Sequence, residues 1–493
     1  MSERNGLRYG LLGLALLILL ALLALVINRP DSSPTPAAAV ESDSIESLAA
    51  LGDQAPSRRD LNIQTWQTAE GAKVLFVEAR ELPMFDLQLT FAAGSSHDDG
   101  IAGLAMLTNA MLNEGVPGKD VGAIAAGFEN LGANFGNGAY RDMAITSLRS
   151  LSAADKREPA MQLFNQVIGQ PTFPEDSLAR IKNQLLAGFE YQKQNPGKLA
   201  SLALFERLYG THPYAHPSDG NAESIPAISR EQLQAFHAKA YTANNAIIAL
   251  VGDLSRSDAE ALANAVSAAL PEGPALPRIA QPQEPKAGLQ HIEFPSNQTH
   301  LMIAQLGIDR RDPDYAALYL GNQVFGGGGF GTRLMTEVRE KRGLTYGVYS
   351  GFSAMQARGP FMINLQTRAE LSDGTLQLVK SMLADFIANG PTADELNNAK
   401  RELAGSFPLS TASNAAIVGQ LGSMGFYDLP LSYLEDFMRD VQALDVAQVK
   451  TAMARHLDPE ALVIVTAGPT VAQKELPPPT DTPAEQPSAV PEH

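Results

Sequence analysis

There is no cysteine among the 493 residues, tryptophan occurs once and histidine eight times. Without cysteine there is no disulfide framework, no thiolate zinc site, no iron–sulfur cluster, no cysteine nucleophile and no lipid-modified N-terminal cysteine. A metal would have to be held by imidazoles and carboxylates, and imidazoles are few. Basic residues are also in deficit: 37 Lys+Arg against 54 Asp+Glu leave a net charge of −17. Phosphate affinity rests on basic patches, so this balance excludes a generic nucleic-acid binder and serves mainly solubility. Charged residues make up 18% and hydrophobic residues 45% of the chain, which excludes global disorder. The length suits about three domains.

Long apolar and proline-rich stretches divide the sequence. No charged residue falls between Tyr9 and Ile27, and as a helix this run spans about 28 Å, close to the hydrocarbon thickness of a bilayer. Asn28-Arg29-Pro30 follows it, where a cleaved signal would place small residues. Residues 1–29 therefore read as an uncleaved transmembrane anchor, with a cleaved signal as the alternative. Arg4 and Arg8 precede the span, so the positive-inside rule leaves the N-terminus in the cytoplasm. The expected setting is a single-pass protein of the inner membrane with its body in the periplasm or otherwise outside the cytoplasm. Residues 30–60 read as a flexible linker, 271–286 as a proline-rich linker between two halves, 61–270 and 287–472, and 473–493 as a disordered proline-rich tail.

The halves look like duplicates. Residues 85–112 and 300–325 each run strand, acidic turn, helix, with Leu104 and Leu318 equivalent and 214 apart. "NNAIIALVGDL" and "EALVIVTAGPT" make Gly252 and Gly468 equivalent, 216 apart. Near-equal offsets at both ends predict two copies of one α+β domain, each a mainly antiparallel sheet packed with helices. Alternating strands are predicted at 73–78, 85–92 and 246–251, and helices near 100–114, 120–131, 155–168 and 176–194.

Four segments, "GSSHDDGIAGLAMLTNAMLNEG" (94–115), "LYGTHPYAHPSDG" (208–220), "YTANNAIIALVGDL" (241–254) and "GGGGFGTRLMTEVREKRGLTYGVYS" (326–350), follow in the order found in one family. The sequence resembles the pitrilysin/insulinase family of zinc peptidases. Its H-x-x-E-H motif puts two zinc-binding imidazoles and a water-activating carboxylate on one helix face. The resemblance places Met106 at the first His, Asn109 at the Glu and Ala110 at the second His. A thioether is a poor zinc donor, Ala offers nothing and Asn cannot serve as a general base. The family's third ligand, a later Glu, maps to Leu185-Leu186-Ala187-Gly188, and the nearby Glu190 reads as a solvated helix residue. No metal or cofactor is expected on this chain.

Other groups do not replace that set. Pro213 and Pro217 follow His212 and His216 directly, so these two cannot share a helix face, and they read as loop residues with local hydrogen bonds. His97, Asp98 and Asp99 read as a solvated turn leading into a helix. In the second half, Gly326, Gly327, Gly328 and Gly329 free a loop's backbone, which suits either plain structure or contact with a peptide substrate. Arg339 and Tyr346 match the family's pair that a non-catalytic half contributes to the zinc half's site, where guanidinium and phenol can steady an oxyanion. From the residues alone, Arg339 reads as a surface ion-pair residue; Arg333, Lys341 and Arg342 lie out of register.

The resemblance thus implies a catalytically silent subunit of a two-chain metallopeptidase. It would form half of a chamber for an unfolded peptide and lend Arg339 and Tyr346 to an H-x-x-E-H partner that holds the zinc. A structural or assembly protein with the same fold, or a hydrolase with a remodelled site, are the alternatives.

Overall fold

The computed structural model describes residues 61–480. The expected anchor at 1–29, the linker at 30–60 and tail residues 481–493 lie outside it. Among the described residues no helix is long and apolar enough to cross a membrane.

The first half forms a sheet of six strands: β1 (Gln64–Gln67), β2 (Lys73–Glu78), β3 (Met84–Phe91), β4 (Asn134–Ala139), β5 (Ala144–Leu151) and β6 (Ala246–Gly252). Its order is β1-β2-β6-β3-β5-β4, antiparallel except for β2 beside β6. The second half forms five: β7 (Gly288–Glu293), β8 (Gln298–Leu306), β9 (Val348–Phe352), β10 (Pro360–Arg368) and β11 (Val463–Gly468). Their order is β9-β10-β8-β11-β7, with β11 and β7 the parallel pair. Glu78 pairs with Gly252 and Glu293 with Gly468, so the two sheets share one register. The first sheet adds β1 outside β2.

The helices that matter for the site are α1 (Leu104–Ala110), α2 (Glu175–Gln192), α3 (Pro196–Tyr209), α4 (Arg230–Ala240), α5 (Tyr315–Asn322) and α6 (Asn414–Phe426). The sequence predicts a helix over 100–114, but α1 is shorter. Gly100 and Gly103 have φ of 81° and 92°, a left-handed backbone that starts the helix late. At Gly103 a Cβ would lie 2.7 Å from Ile225 Cδ1, so the approach also needs glycine.

Central strands such as β2 are apolar on both faces, and two different helix layers explain why. Val74 and Phe76 belong to the first half's own core. Leu75 and Val77 instead meet Ile417, Val418, Leu421 and Met424 of α6, a helix of the second half. Reciprocally, Ala200, Leu204 and Leu208 of α3 cover Ala304 and Leu306 of β8 and Val463 and Val465 of β11. The expectation of two sheets, each packed by helices of its own half, is therefore incomplete: the halves exchange a helix. Both halves, as described, belong to one compact unit.

A buried carboxylate adds a polar tie. Asp142, in the turn between β4 and β5, is 4% exposed. It accepts from the Tyr214 hydroxyl, from the Gln356 N–H at 2.6 Å and from the Tyr427 hydroxyl. Two of these donors come from the second half. Burial holds the carboxyl above the ordinary range, although all three donors favour its charged form. The first residues of the expected tail, 473–480, are placed, held along the second half by hydrogen bonds described below.

Candidate functional site

The helix face where the family motif maps is built from α1 packed against β4 and α4. Asn109, in the position of the general base, is 2% exposed. Its amide donates to the Ile145 carbonyl at 3.3 Å and to the Tyr241 hydroxyl at 3.2 Å. Tyr241 follows α4, lies against Phe91 (ring centroids 4.8 Å apart) and stacks on His237 (5.2 Å). Burial holds its phenol far above the usual range, so it is neutral at ordinary pH. Met106 is half-buried against the first core and Ala110 half-buried beside it. The geometry is a neutral clasp between helix, sheet and Tyr241, with no basic oxygen to activate water.

The third-ligand turn fits no metal either. Leu185 and Leu186 pack on the same core. Glu190 is exposed and pairs with Lys193 at 2.7 Å, as expected of a solvated helix residue. The residues present do not fit the family's zinc, and no chemical step is routed through it.

The histidines serve the scaffold. His212 accepts from the Tyr214 N–H at 3.1 Å, a local bond, but its other nitrogen meets the carbonyl of Ala280, 68 residues on, at 2.8 Å, so the expectation of purely local hydrogen bonds is corrected. His216 pairs with Asp98 at 3.2 Å, and this contact raises the imidazole above its ordinary value. The reading of 97–99 as a solvated turn is corrected here: Asp98 is 1% and His97 9% exposed, and Asp99 alone faces water, bonded to Lys239. Burial, with the Lys239 ammonium nearby, lowers His97 to about 4. Among the described residues, three metal-capable side chains converge at Asp312, Asp314 and His456. Arg455 and His456 already hold Asp314, which makes this an ion-pair cluster.

In the second half, α5 runs into a wide π-helical turn, Gln323–Gly327. A Cβ on Gly326 would meet Ser350 Oγ at 2.5 Å, and one on Gly327 would meet Asn322 Nδ2 at 2.3 Å. The Gly328 N–H bonds Gln323, and the Gly329 carbonyl accepts from Thr332. The first three glycines thus allow close packing, while Gly329, with φ of 76°, turns the chain toward Phe330. Phe330 is 73% exposed and Arg339 lies over its ring, 4.6 Å from the centroid.

The neighbouring cations are engaged. Arg333 forks onto Glu395 with two contacts of 2.8 Å, and Arg342 bonds the Pro477 carbonyl and approaches Glu337, which also holds Lys341. No carboxylate or hydrogen-bond partner meets the Arg339 side chain among the described residues, so it is no ion-pair residue within them. Tyr346 is 84% exposed. No hydrogen bond or ring contact joins it to Arg339. Sequence reasoning missed Phe330 and Tyr241; the signal for Phe330 was a large aromatic interrupting a glycine run.

Comparison with known proteins gives this geometry a context. The model for insulinase (peptidase family M16) matches residues 73–219, and that for the peptidase M16 inactive domain matches 227–403. A crystal structure described as a peptidase M16 inactive domain from Pseudomonas fluorescens is 75% identical, with a TM-score of 0.83, covering 85% of this chain and all of that one. The chain belongs to peptidase family M16. A non-peptidase homolog, YmxG of Helicobacter pylori, is 28% identical over 80% of this chain and 91% of that protein. A protease structure from Helicobacter pylori, 16% identical with a TM-score of 0.76 over 83% of this chain and all of that one, shares the fold. This M16 chain is an inactive member of its family.

Proposed function

We propose that this M16 chain is the silent subunit of a two-chain peptidase. It forms half of a chamber for an unfolded peptide and lends Arg339 and Tyr346 to a partner that carries H-x-x-E-H and the zinc. The observation that carries this reading is Arg339: of the arginines in its segment it alone lacks a carboxylate, and its planar cation is steadied on Phe330 with its edges free. Such a donor can hold a peptide carbonyl or a developing oxyanion. The glycine turn beside it supplies the peptide-facing backbone. In the same reading the run Tyr9–Ile27 tethers the chain and its body works outside the cytoplasm.

The test is turnover of an unfolded peptide by the reconstituted pair. Arg339→Ala or Tyr346→Phe leaves association unchanged by gel filtration and lowers turnover about 10²–10³-fold, the usual loss for one oxyanion donor. Arg339→Lys rescues poorly, because an ammonium lacks the guanidinium fork. Arg342 is unsuited as the control, since it holds Pro477. Arg439, exposed on another helix, is the better one. Turnover within about twofold for both variants sinks the contributed-site reading in favour of a structural or assembly role.

A further inference from the structure

The shared register of the two sheets shows what the second half lacks. Glu78 and Glu293 hold the same place, so Val74 corresponds to Leu289 and Phe76 to His291. Outside β2 lies β1, antiparallel, with Trp66 opposite Val74 and Gln64 opposite Phe76. Helix Arg256–Ala269, which follows β6, packs on β2 and locks β1 there. The Arg256 guanidinium stands 3.8 Å over the Trp66 ring and bonds the Gln64 side chain at 3.1 Å. Neither cover recurs in the second half among the described residues. There β7 is the last strand of its sheet, and β11 leads into an extended strap in place of a helix. In the strap Thr470 bonds the Glu293 carboxylate, Gln473 the Ala369 carbonyl (3.0 Å), the Lys474 N–H the Glu370 carbonyl (2.7 Å) and the Thr480 N–H the Lys341 carbonyl (2.8 Å).

A strand edge beside a groove is left open. The Gly288 and Phe294 N–H groups bond the Leu462 and Gly468 carbonyls at 3.0 and 2.9 Å. Strand alternation therefore turns the N–H and C=O of Leu289 and His291 away from the sheet. The groove beside them has a volume of about 690 Å³, within the range of ligand sites. At the corresponding places the first half has Phe76 beside Leu250 and Phe85 against Gly252, whereas the second has His291 beside Thr466 and Thr299 against Gly468. Leu289, 56% exposed, Leu376 and Leu462 give the groove an apolar lining. The Thr299 hydroxyl, in a residue 2% exposed, has no hydrogen-bond partner among the described residues. A Trp or Tyr side chain, apolar in body and polar at one end, matches both features. Charge narrows the occupant further. Asp373 and Glu460 line the groove without an ion pair among the described residues, Glu293 at the end of β7 meets no Lys or Arg there, and Lys380 is the one basic residue of the lining.

We propose that this edge and groove are the seat of a basic, extended segment of a partner protein. The segment adds to the second sheet as β1 adds to the first, antiparallel to β7. A Trp or Tyr lies opposite Leu289, and a Lys or Arg four residues earlier lies opposite Glu293. Backbone bonds to Leu289 and His291 fix its register. Nothing in the docking depends on the contributed site at Arg339.

The sequence of β1 supplies the probe, a dye-labelled peptide of residues 61–68 with Asn62→Lys, which sets a lysine opposite Glu293. Added to the full chain in mild detergent, it is expected to raise the dye anisotropy to saturation below about 1 mM. Leu289→Pro removes an edge N–H and leaves the bonds to β11 in place, and Thr299→Phe gives the groove the first half's residue. Each weakens binding at least about tenfold, as does Trp66→Ala in the peptide. Glu293→Gln weakens it about two- to fivefold. Because a variant can misfold, hydrogen exchange of the unmutated chain gives a second readout: the peptide slows exchange at 288–293 and leaves 73–78 as it was. Lack of saturation, lack of added protection at 288–293, or an affinity that Leu289→Pro and Thr299→Phe leave unchanged overturns the proposal. So does a dimer of the chain that Leu289→Pro dissociates, since the edge then belongs to a second copy. No turnover is read, so this outcome and that of the peptidase test are independent.

Discussion

Asn109 aims its amide at two oxygens, the Ile145 carbonyl and the Tyr241 hydroxyl, from a position 2% open to water. A carboxylate there would face the carbonyl with nothing to donate. Asn109→Asp therefore has a cost that depends on pH. Burial and the carbonyl push the introduced carboxyl above its ordinary value of about 3.9. With the folded pKa raised, the penalty is absent below the unfolded value and complete above the folded one. Urea unfolding is expected to show a loss of about 2–4 kcal/mol near pH 8, at least halved near pH 4. An equal loss at both would mean that the amide's shape matters and its donors do not. The resemblance singled out position 109, but the sequence did not show what Asn109 meets: Tyr241 lies 132 residues away. Asp98 was misread for a related reason. A turn with two adjacent acids looks solvated until the distant His216 is found against it.

At the scale of elements, repeated strands and helices were legible because alternation and helical spacing are local, and equal offsets exposed the duplication. The helix exchange was not, since an apolar stripe says that a helix is covered without saying by which sheet. Small residues on α6 set how closely it lies on the first half's sheet. A Cβ on Gly425 would stand 2.4 Å from Ile247 Cγ2 and 2.9 Å from Leu75 Cδ1, whereas one on Gly419 meets nothing within 4 Å. The two substitutions by alanine should act with opposite sign. Gly425→Ala overpacks the contact and costs about 1–3 kcal/mol, while Gly419→Ala gains about 0.5–1 kcal/mol from helix propensity. Thermal unfolding of both decides it, and stabilisation by Gly425→Ala would show that α6 does not bear on the sheet.

Over the whole molecule, the body's place relative to the membrane is carried by composition alone. The proposed arrangement, anchor first and body outside the cytoplasm, gives an alkaline phosphatase fused after residue 60 its activity and sends it with the membrane fraction. Soluble activity would mean that the Leu-rich run is a cleaved signal. The remaining part of the reading, the contribution of Arg339 and Tyr346 to a partner, was legible only through the resemblance, because exposed side chains with no partner of their own leave no pattern in one sequence.

The helix exchange also orders events during synthesis. The first half's last strand ends at Gly252, yet the helix that covers one face of its sheet is not complete until Phe426. At 5–20 residues per second, that face waits roughly 10–35 s for its cover after the strands are made. Leu75, Val77, Ala249 and Val251, all buried in the finished molecule, are open to water or to a chaperone throughout that interval. A ribosome that stalls between the halves thus releases an apolar sheet, and not a finished domain.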